Sequence, residues 1–197
     1  MNHYFTNDPN IKSDIKKIDV IINEKKFTFL TDNGVFSKKG LDFGTRTLLE
    51  TIPTLKGDVL DFGCGYGPVG IYIKSNNDCS VDMIDINKRS VELAKKNASL
   101  NGVDANIFES NIYSNVNKKY DYIITNPPIR VGKETLYKIL FEANDYLKEH
   151  GQIWLVINKD QGAKSLEKDL NKRYDTSVVT KNKGFYIICA NKRWQVA

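Results

Sequence analysis

Apolar and polar positions in this chain follow two rhythms, which change near residue 58. Before it, Ile18-Asp19-Val20-Ile21-Ile22 and Phe27-Thr28-Phe29-Leu30 flank the polar stretch Asn23-Glu24-Lys25-Lys26, which predicts a β-hairpin. Asp32-Asn33-Gly34 reads as a further turn, and Val35 to Thr45 as an ordered loop. Thr45 is placed to cap a helix through Glu50, with Pro53 beyond its end. After it, strand-like and helix-like segments alternate. Asp58–Phe62, Ser80–Asp85, Ala105–Phe108, Tyr120–Thr125 and Gln152–Ile157 read as strands. Helices are predicted to begin at Val69, over 88–101 with Gly102 past its end, over 135–147 with Gly151 as its stop, and over 164–172. Thr176–Thr180 and Gly184–Cys189 close the chain as a hairpin around Lys181-Asn182-Lys183. Such alternation implies right-handed βαβ units and a mostly parallel α/β sheet with helices on both faces. The closing hairpin adds one antiparallel strand.

A chain of 197 residues with 41% hydrophobic content fits one domain with a real core. The expected division is a hairpin extension over 1–55, packed on a core of 56–197. A net charge of +5 is compatible with a nucleic-acid partner but does not require one. Cys64, Cys79 and Cys189 lack paired spacing, which argues for a reducing compartment. His3 and His150 are far apart, and no zinc signature or histidine triad is present. Met1 to Thr6 contains no apolar targeting stretch, and no run reaches membrane-spanning length. The expectation is a soluble, cytoplasmic protein without a metal.

Candidate chemistry begins at Asp61-Phe62-Gly63-Cys64-Gly65-Tyr66-Gly67-Pro68-Val69-Gly70. Gly65-x-Gly67-x-x-Gly70 matches the dinucleotide fingerprint, and Asp85 at the next strand's end suits ribose hydroxyls. The pattern alone does not separate a nicotinamide cofactor from another adenosine compound. Electrostatics favours the latter. Asp61 places an anion at the mouth of the loop, where a pyrophosphate would be repelled. Pro68 removes one N–H where the helix starts. S-adenosylmethionine carries an amino group, a sulfonium and adenosine, with no phosphate. Asn111, after the third strand, is a candidate for the adenine edge; a plain turn asparagine is the competing reading.

The second candidate is Asn126-Pro127-Pro128-Ile129. Two prolines end the preceding strand, and the residue before a proline is kept extended. Ligands of open α/β sheets bind at the carboxyl ends of strands. A stiffly held carboxamide there suits the grip of a reacting amino group. Lys38, Lys39, Arg46, Arg130 and Lys133 are basic residues near these loops and candidates for phosphate.

These residues resemble those of class I S-adenosylmethionine-dependent methyltransferases. More closely, the chain is similar to the bacterial family that methylates guanine N2 in small-subunit ribosomal RNA. The resemblance spans Gly34-Val35-Phe36-Ser37, Leu41-Asp42-x-Gly44-Thr45, Asp61-x-Gly63-x-Gly65-x-Gly67, Asp85-Ile86-Asn87, Ser110-Asn111 and Asn126-Pro127-Pro128-Ile129-Arg130. It implies a Rossmann-like seven-stranded sheet. It implies that Asp61, Gly63, Cys64, Gly65 and Gly67 hold the methionine end, with Asp85 and Ile86 on the ribose side and Asn111 on adenine. Asn126 and the Pro127 carbonyl would receive the target amine, with Pro128 and Ile129 completing the catalytic segment and Asn126 also near the cofactor. Phe36, Arg130 and Lys133 would face a ribosomal RNA or an assembling subunit. Many amino-methyltransferases stack an aromatic residue on the base where Ile129 stands here. Protein glutamine and adenine N6 are alternative acceptors, and a dehydrogenase or a nucleotide-binding regulatory module is the rival of another class.

Overall fold

The structure is a computed structural model that describes residues 8–194. His3 and the stretch Met1 to Thr6 lie outside the described residues. Two strands, β1 (Lys16–Ile22) and β2 (Lys25–Thr31), form the expected antiparallel hairpin. After α1 (Phe43–Thr51), the remaining elements are β3 (Gly57–Phe62), α2 (Pro68–Asn76), β4 (Cys79–Asp85), α3 (Lys88–Leu100), β5 (Asn106–Glu109), β6 (Tyr120–Thr125), α4 (Lys133–Glu142), β7 (Leu147–Asn158), α5 (Ala163–Leu170), β8 (Tyr174–Asn182) and β9 (Phe185–Lys192). The seven-stranded sheet runs β5-β4-β3-β6-β7-β9-β8. Only β9 opposes its neighbours, pairing antiparallel with both β7 and β8. The expected mostly parallel sheet with one antiparallel strand is therefore present.

Two apolar clusters cover the two faces of the sheet. One gathers Val59, Ile71, Met83, Leu93 and Trp154 with the hairpin residues Ile22, Phe27 and Phe29. The other gathers Leu60, Ile84, Ile123, Leu140, Leu155 and Leu166. Adjacent strand residues such as Val59 and Leu60 point to opposite clusters, as the period of two requires. Among the described residues no helix is long and apolar enough to cross a membrane. Cys64, Cys79 and Cys189 are buried and free.

The hairpin is tied to α3 by two asparagines. Asn97 accepts from the Leu30 N–H at 2.7 Å and donates to the Leu30 carbonyl at 2.9 Å. Asn101 repeats this with Thr28, at 3.2 and 2.8 Å. Four residues of helix and two of strand both rise about 6–7 Å, so the side chains imitate a neighbouring strand. They occupy backbone groups that a free edge would expose. Asn97 is fully buried and also donates to the Tyr66 carbonyl at 2.8 Å, behind the glycine loop. Asn97→Ala leaves the buried Tyr66 carbonyl unpaired, at about 1–3 kcal/mol, while water can reach the part-buried Leu30 groups. Thermal melting should show Tm falling by roughly 5–10 °C; an unchanged Tm would mean the asparagine ladder adds nothing.

Several element boundaries shift by a few residues from the sequence reading, and two of the shifts have a clear physical reason. Asp42, not Thr45, caps α1: its carboxylate accepts from the Thr45 N–H at 3.0 Å, so the helix starts before Thr45. Helix α4 ends at Glu142, and a 3-10 turn over Ala143–Tyr146 leads directly into β7. Gly151 ends no helix; it lies inside β7 beside a register shift, where a Cβ would meet the Lys148 carbonyl at 2.8 Å.

Candidate active site

Strand order reverses around β3, whose neighbours are β4 and β6. A cleft opens at such a switch point beyond the carboxyl ends of the strands. Phe62 pairs with Thr125, and the Thr125 hydroxyl donates to the Phe62 carbonyl at 3.0 Å. The two strands therefore end level, and Gly63 and Asn126 emerge side by side. The cavity there measures about 560 Å³, within the range of small-molecule sites. It unites Asp61, Gly63, Cys64 and Gly65 with Asn126, Pro127, Pro128, Ile129 and Arg130, and with Phe36 from the loop after the hairpin.

The glycines divide their work. At Gly63 and Gly65, φ is +71° and +56°, and an added Cβ would meet nothing within 4 Å. That is open space at the cavity floor, a cradle for a ligand lying against the backbone. Gly67 and Gly70 instead face Met83, whose side chain would stand 3.1 and 2.6 Å from an added Cβ. Gly67 is outside the cavity lining and packs against Ile71 and Met83.

Asp61 is buried and accepts from the Gly70 N–H at 2.9 Å. Burial pushes its carboxyl up to about 7; the Gly70 bond opposes this and the charge of Asp85 adds to it. Asp85 accepts from the N–H groups of Gly65 at 2.9 Å and Asn87 at 2.8 Å. Burial raises it to about 6, against those main-chain bonds. Among the described residues neither carboxylate is paired with a lysine or arginine. Buried anions without a cation are costly. A ligand bringing its own positive charge relieves that cost at Asp61, and one bringing hydroxyls can replace main-chain donors at Asp85. The residues present thus fit S-adenosylmethionine and oppose a pyrophosphate.

Asn126 donates its amide Nδ2 to the Asp42 carboxylate at 3.2 Å and to the Thr45 hydroxyl at 3.0 Å. Its oxygen remains as the acceptor it can offer the cavity. The Pro128 carbonyl is taken by the Val131 N–H at 3.2 Å and the Ile129 carbonyl by the Gly132 N–H at 3.3 Å. This 3-10 turn over Ile129–Val131 follows the double proline directly. Ile129 is half-buried against the second core cluster. Aromatic surface comes instead from Phe36, 43% exposed, and from Phe185 at the start of β9.

Several candidates from the sequence fall outside the cavity lining: Asp85 stands behind the Gly65 N–H, Lys39 is not part of the lining, and Lys38 donates to the Asn33 side chain at 2.9 Å. Asn111 is exposed, outside the lining, and its main chain closes a turn with Ser114. Ile86 and Lys133 also lie outside the lining; the Lys133 ammonium sits 5.1 Å from the Tyr137 ring centre. Arg46 donates to the Ile21 carbonyl at 2.6 Å and pairs with Glu50, which gives it a structural task. Conversely, Asp42, Thr45, Asn158, Asp160, Gln161 and Phe185 line the cavity, a placement the sequence pattern does not predict. Asn158 to Gln161 follow a predicted strand, so the strand-end rule that found Asn126 also reaches them.

A glycine cradle and a buried carboxylate at one strand end, with an oriented carboxamide at the next, define a class I S-adenosylmethionine-dependent methyltransferase. The methyltransferase small domain model matches residues 26–189, and the chain belongs to that family. It is 43% identical to the uncharacterized protein YbxB of Bacillus subtilis, over 96% of this chain and 98% of that one. It is 38% identical to ribosomal RNA small subunit methyltransferase C of Vibrio parahaemolyticus, over 73% of this chain but 43% of that protein. Among solved structures, the T. thermophilus 16S rRNA N2 methyltransferase in complex with AdoMet and guanosine superimposes with a TM-score of 0.82 at 23% identity. The match covers 94% of this chain and 52% of that one, so the chain spans about half the length of these rRNA methyltransferases.

Proposed function

We propose that this protein transfers a methyl group from S-adenosylmethionine to the exocyclic N2 amine of a guanine in small-subunit ribosomal RNA. The observation that carries this reading is the orientation of Asn126: its NH₂ is committed to Asp42 and Thr45, which leaves an acceptor for the substrate. The likeness to small subunit methyltransferase C relatives supports the substrate class.

When bound, S-adenosylmethionine supplies an electrophilic methyl on a sulfonium and leaves as a neutral thioether. The guanine amine is a poor nucleophile because its lone pair is delocalised into the ring. The Asn126 Oδ1 and the Pro127 carbonyl accept its two N–H bonds in the pyramidal geometry of the transition state. That localises the lone pair towards the methyl carbon, by orientation and preorganised dipoles. The N–C bond forms as the S–C bond breaks, and the surplus proton passes to water. Asp61 holds the methionine amino group, and Asp85 accepts from ribose hydroxyls. Arg130, exposed at the rim, meets phosphate.

Guanine is favoured over adenine by Asp160. Beside its amine, guanine presents the N1–H donor, whereas adenine presents an acceptor that a carboxylate repels. Asn158 accepts from the Asp160 N–H at 2.9 Å, which leaves its NH₂ for O6. Asp160→Ala should lower kcat/KM about 10–100-fold, the range of one lost charged hydrogen bond. Unchanged kcat/KM would remove Asp160 from base recognition. The reading as a whole is tested by incubating labelled S-adenosylmethionine with small-subunit particles, release factor and DNA. Label is expected in RNA; label only in protein or DNA would overturn the assignment.

A further inference from the structure

A carboxamide is nearly symmetric in shape and opposite in polarity at its two ends. Turned one way, Asn126 offers an oxygen to a substrate amine; turned the other, it offers two N–H groups that oppose it. The prolines fix its backbone but not this choice. We infer that Asp42 and Thr45 are positioning residues that set the polarity of Asn126, an inference that rests on Asn126 being the amine acceptor.

An ionised carboxylate only accepts hydrogen bonds. With Asp42 Oδ2 at 3.2 Å, the group facing it must be the NH₂ of Asn126, because a flipped amide would set oxygen against anion. The Thr45 hydroxyl accepts from the same NH₂ at 3.0 Å and lies 3.5 Å from Asp42 Oδ2, so its own proton points to the carboxylate. Two bonds of the triangle end on Asp42, and the third, from Asn126 to Thr45, is accepted by the hydroxyl that donates to it. Donation to an anion also draws electron density onto the amide oxygen, which strengthens it as an acceptor.

Asp42 is itself fixed. It is the N-cap of α1, and the same oxygen accepts from the Thr45 N–H at 3.0 Å. At Gly44 an added Cβ would stand 2.9 Å from the Phe185 ring and 3.0 Å from Asp42 Oδ2. The spacing Asp42-x-Gly44-Thr45 is thereby explained: the aspartate caps and orients, the glycine clears the cavity wall, and the threonine completes the triangle. The residues meet across 84 and 81 positions of sequence, so the segment before the parallel core supplies part of the catalytic geometry.

The test separates capping from positioning. Asp42→Asn keeps a good N-cap but brings its own NH₂ and loses the charge. Thr45→Val keeps the shape without the hydroxyl, and Thr45→Ser restores the hydroxyl. Each is assayed by methyl transfer to small-subunit particles, with S-adenosylmethionine Kd and Tm measured alongside. Asp42→Asn should lower kcat about 10–100-fold and Thr45→Val about 5–10-fold, as for loss of a preorganised polar contact. KM for the particles, Kd and Tm should stay close to wild type, and Thr45→Ser should recover most of the turnover. Adding Asp42→Asn to Asn126→Ala should cost little more, because the two residues act as a unit. Wild-type kcat in Asp42→Asn, losses that follow Tm, or fully additive losses would overturn the inference. If Asn126→Ala is inactive while Asp42→Asn and Thr45→Val are normal, positioning alone fails. If Asn126→Ala is itself active, the amine-acceptor reading fails with it.

Discussion

Replacing Asn126 with alanine is expected to lower kcat about 10²-fold or more, the scale of losing one preorganised donor or acceptor in an acyl- or methyl-transfer site. The side chain stands at the level end of two parallel strands, with its amide already bonded on one side, so almost no reorganisation is needed when substrate arrives. In the proposed mechanism its hydrogen bond strengthens as the amine pyramidalises, which places its effect on the transition state and not on binding. S-adenosylmethionine affinity should therefore stay within about twofold, since losing a transition-state contact costs kcat without uniform binding. Single-turnover methyl transfer with calorimetry on the same protein checks both halves. A matching rise in Kd would reassign Asn126 to cofactor binding.

Asp61→Asn should do the reverse, weakening S-adenosylmethionine about 10–100-fold, the worth of a hydrogen bond to a charged group. Asparagine still accepts from the Gly70 N–H, so the loop keeps its shape. The wild-type carboxyl, pushed up to about 7 by burial, ionises only towards neutral pH in the ligand-free protein. A cationic ligand prefers the ionised form. Affinity should rise as pH rises through about 7 in the wild type, with a proton released on binding below that point. Asp61→Asn should lose this dependence and keep only the part near 6 that belongs to Asp85. Stability has the opposite sign. A raised carboxyl binds more protons folded than unfolded, so the ligand-free protein loses stability as pH rises from about 4 towards 7. Asp61→Asn removes that loss and should melt higher than wild type at pH 8. Melting curves and titrations at pH 6 and 8 measure both trends.

Local patterns were legible in the sequence wherever a single element settles them. The hairpin of Ile18–Leu30, the strand before Asn126 and the glycine loop each announce themselves within about ten residues. The role of Asp42 is not local. As the N-cap of α1 it is visible beside Thr45, but its bond to Asn126 spans 84 residues and exists only once the chain folds. Thr45 and Asp42 both suit a cap by residue type, and only geometry chooses Asp42. Gly151 looked like a helix stop because glycine marks helix ends and strand irregularities alike. Gly67 belongs to the motif, but its packing against Met83 cannot be seen from spacing. The aromatic surface that Ile129 does not offer is present in the same cavity as Phe36 and Phe185, brought together from distant parts of the sequence.

The central claim is that the oriented Asn126 presents an acceptor to a guanine amine. It is tested most directly by digesting small-subunit RNA after methylation and separating its nucleosides by mass spectrometry. The account predicts labelled N2-methylguanosine with the wild-type protein and almost none with Asn126→Ala. Label in N6-methyladenosine, in a ring nitrogen or in ribose would contradict it, as would N2-methylguanosine formed equally well without Asn126.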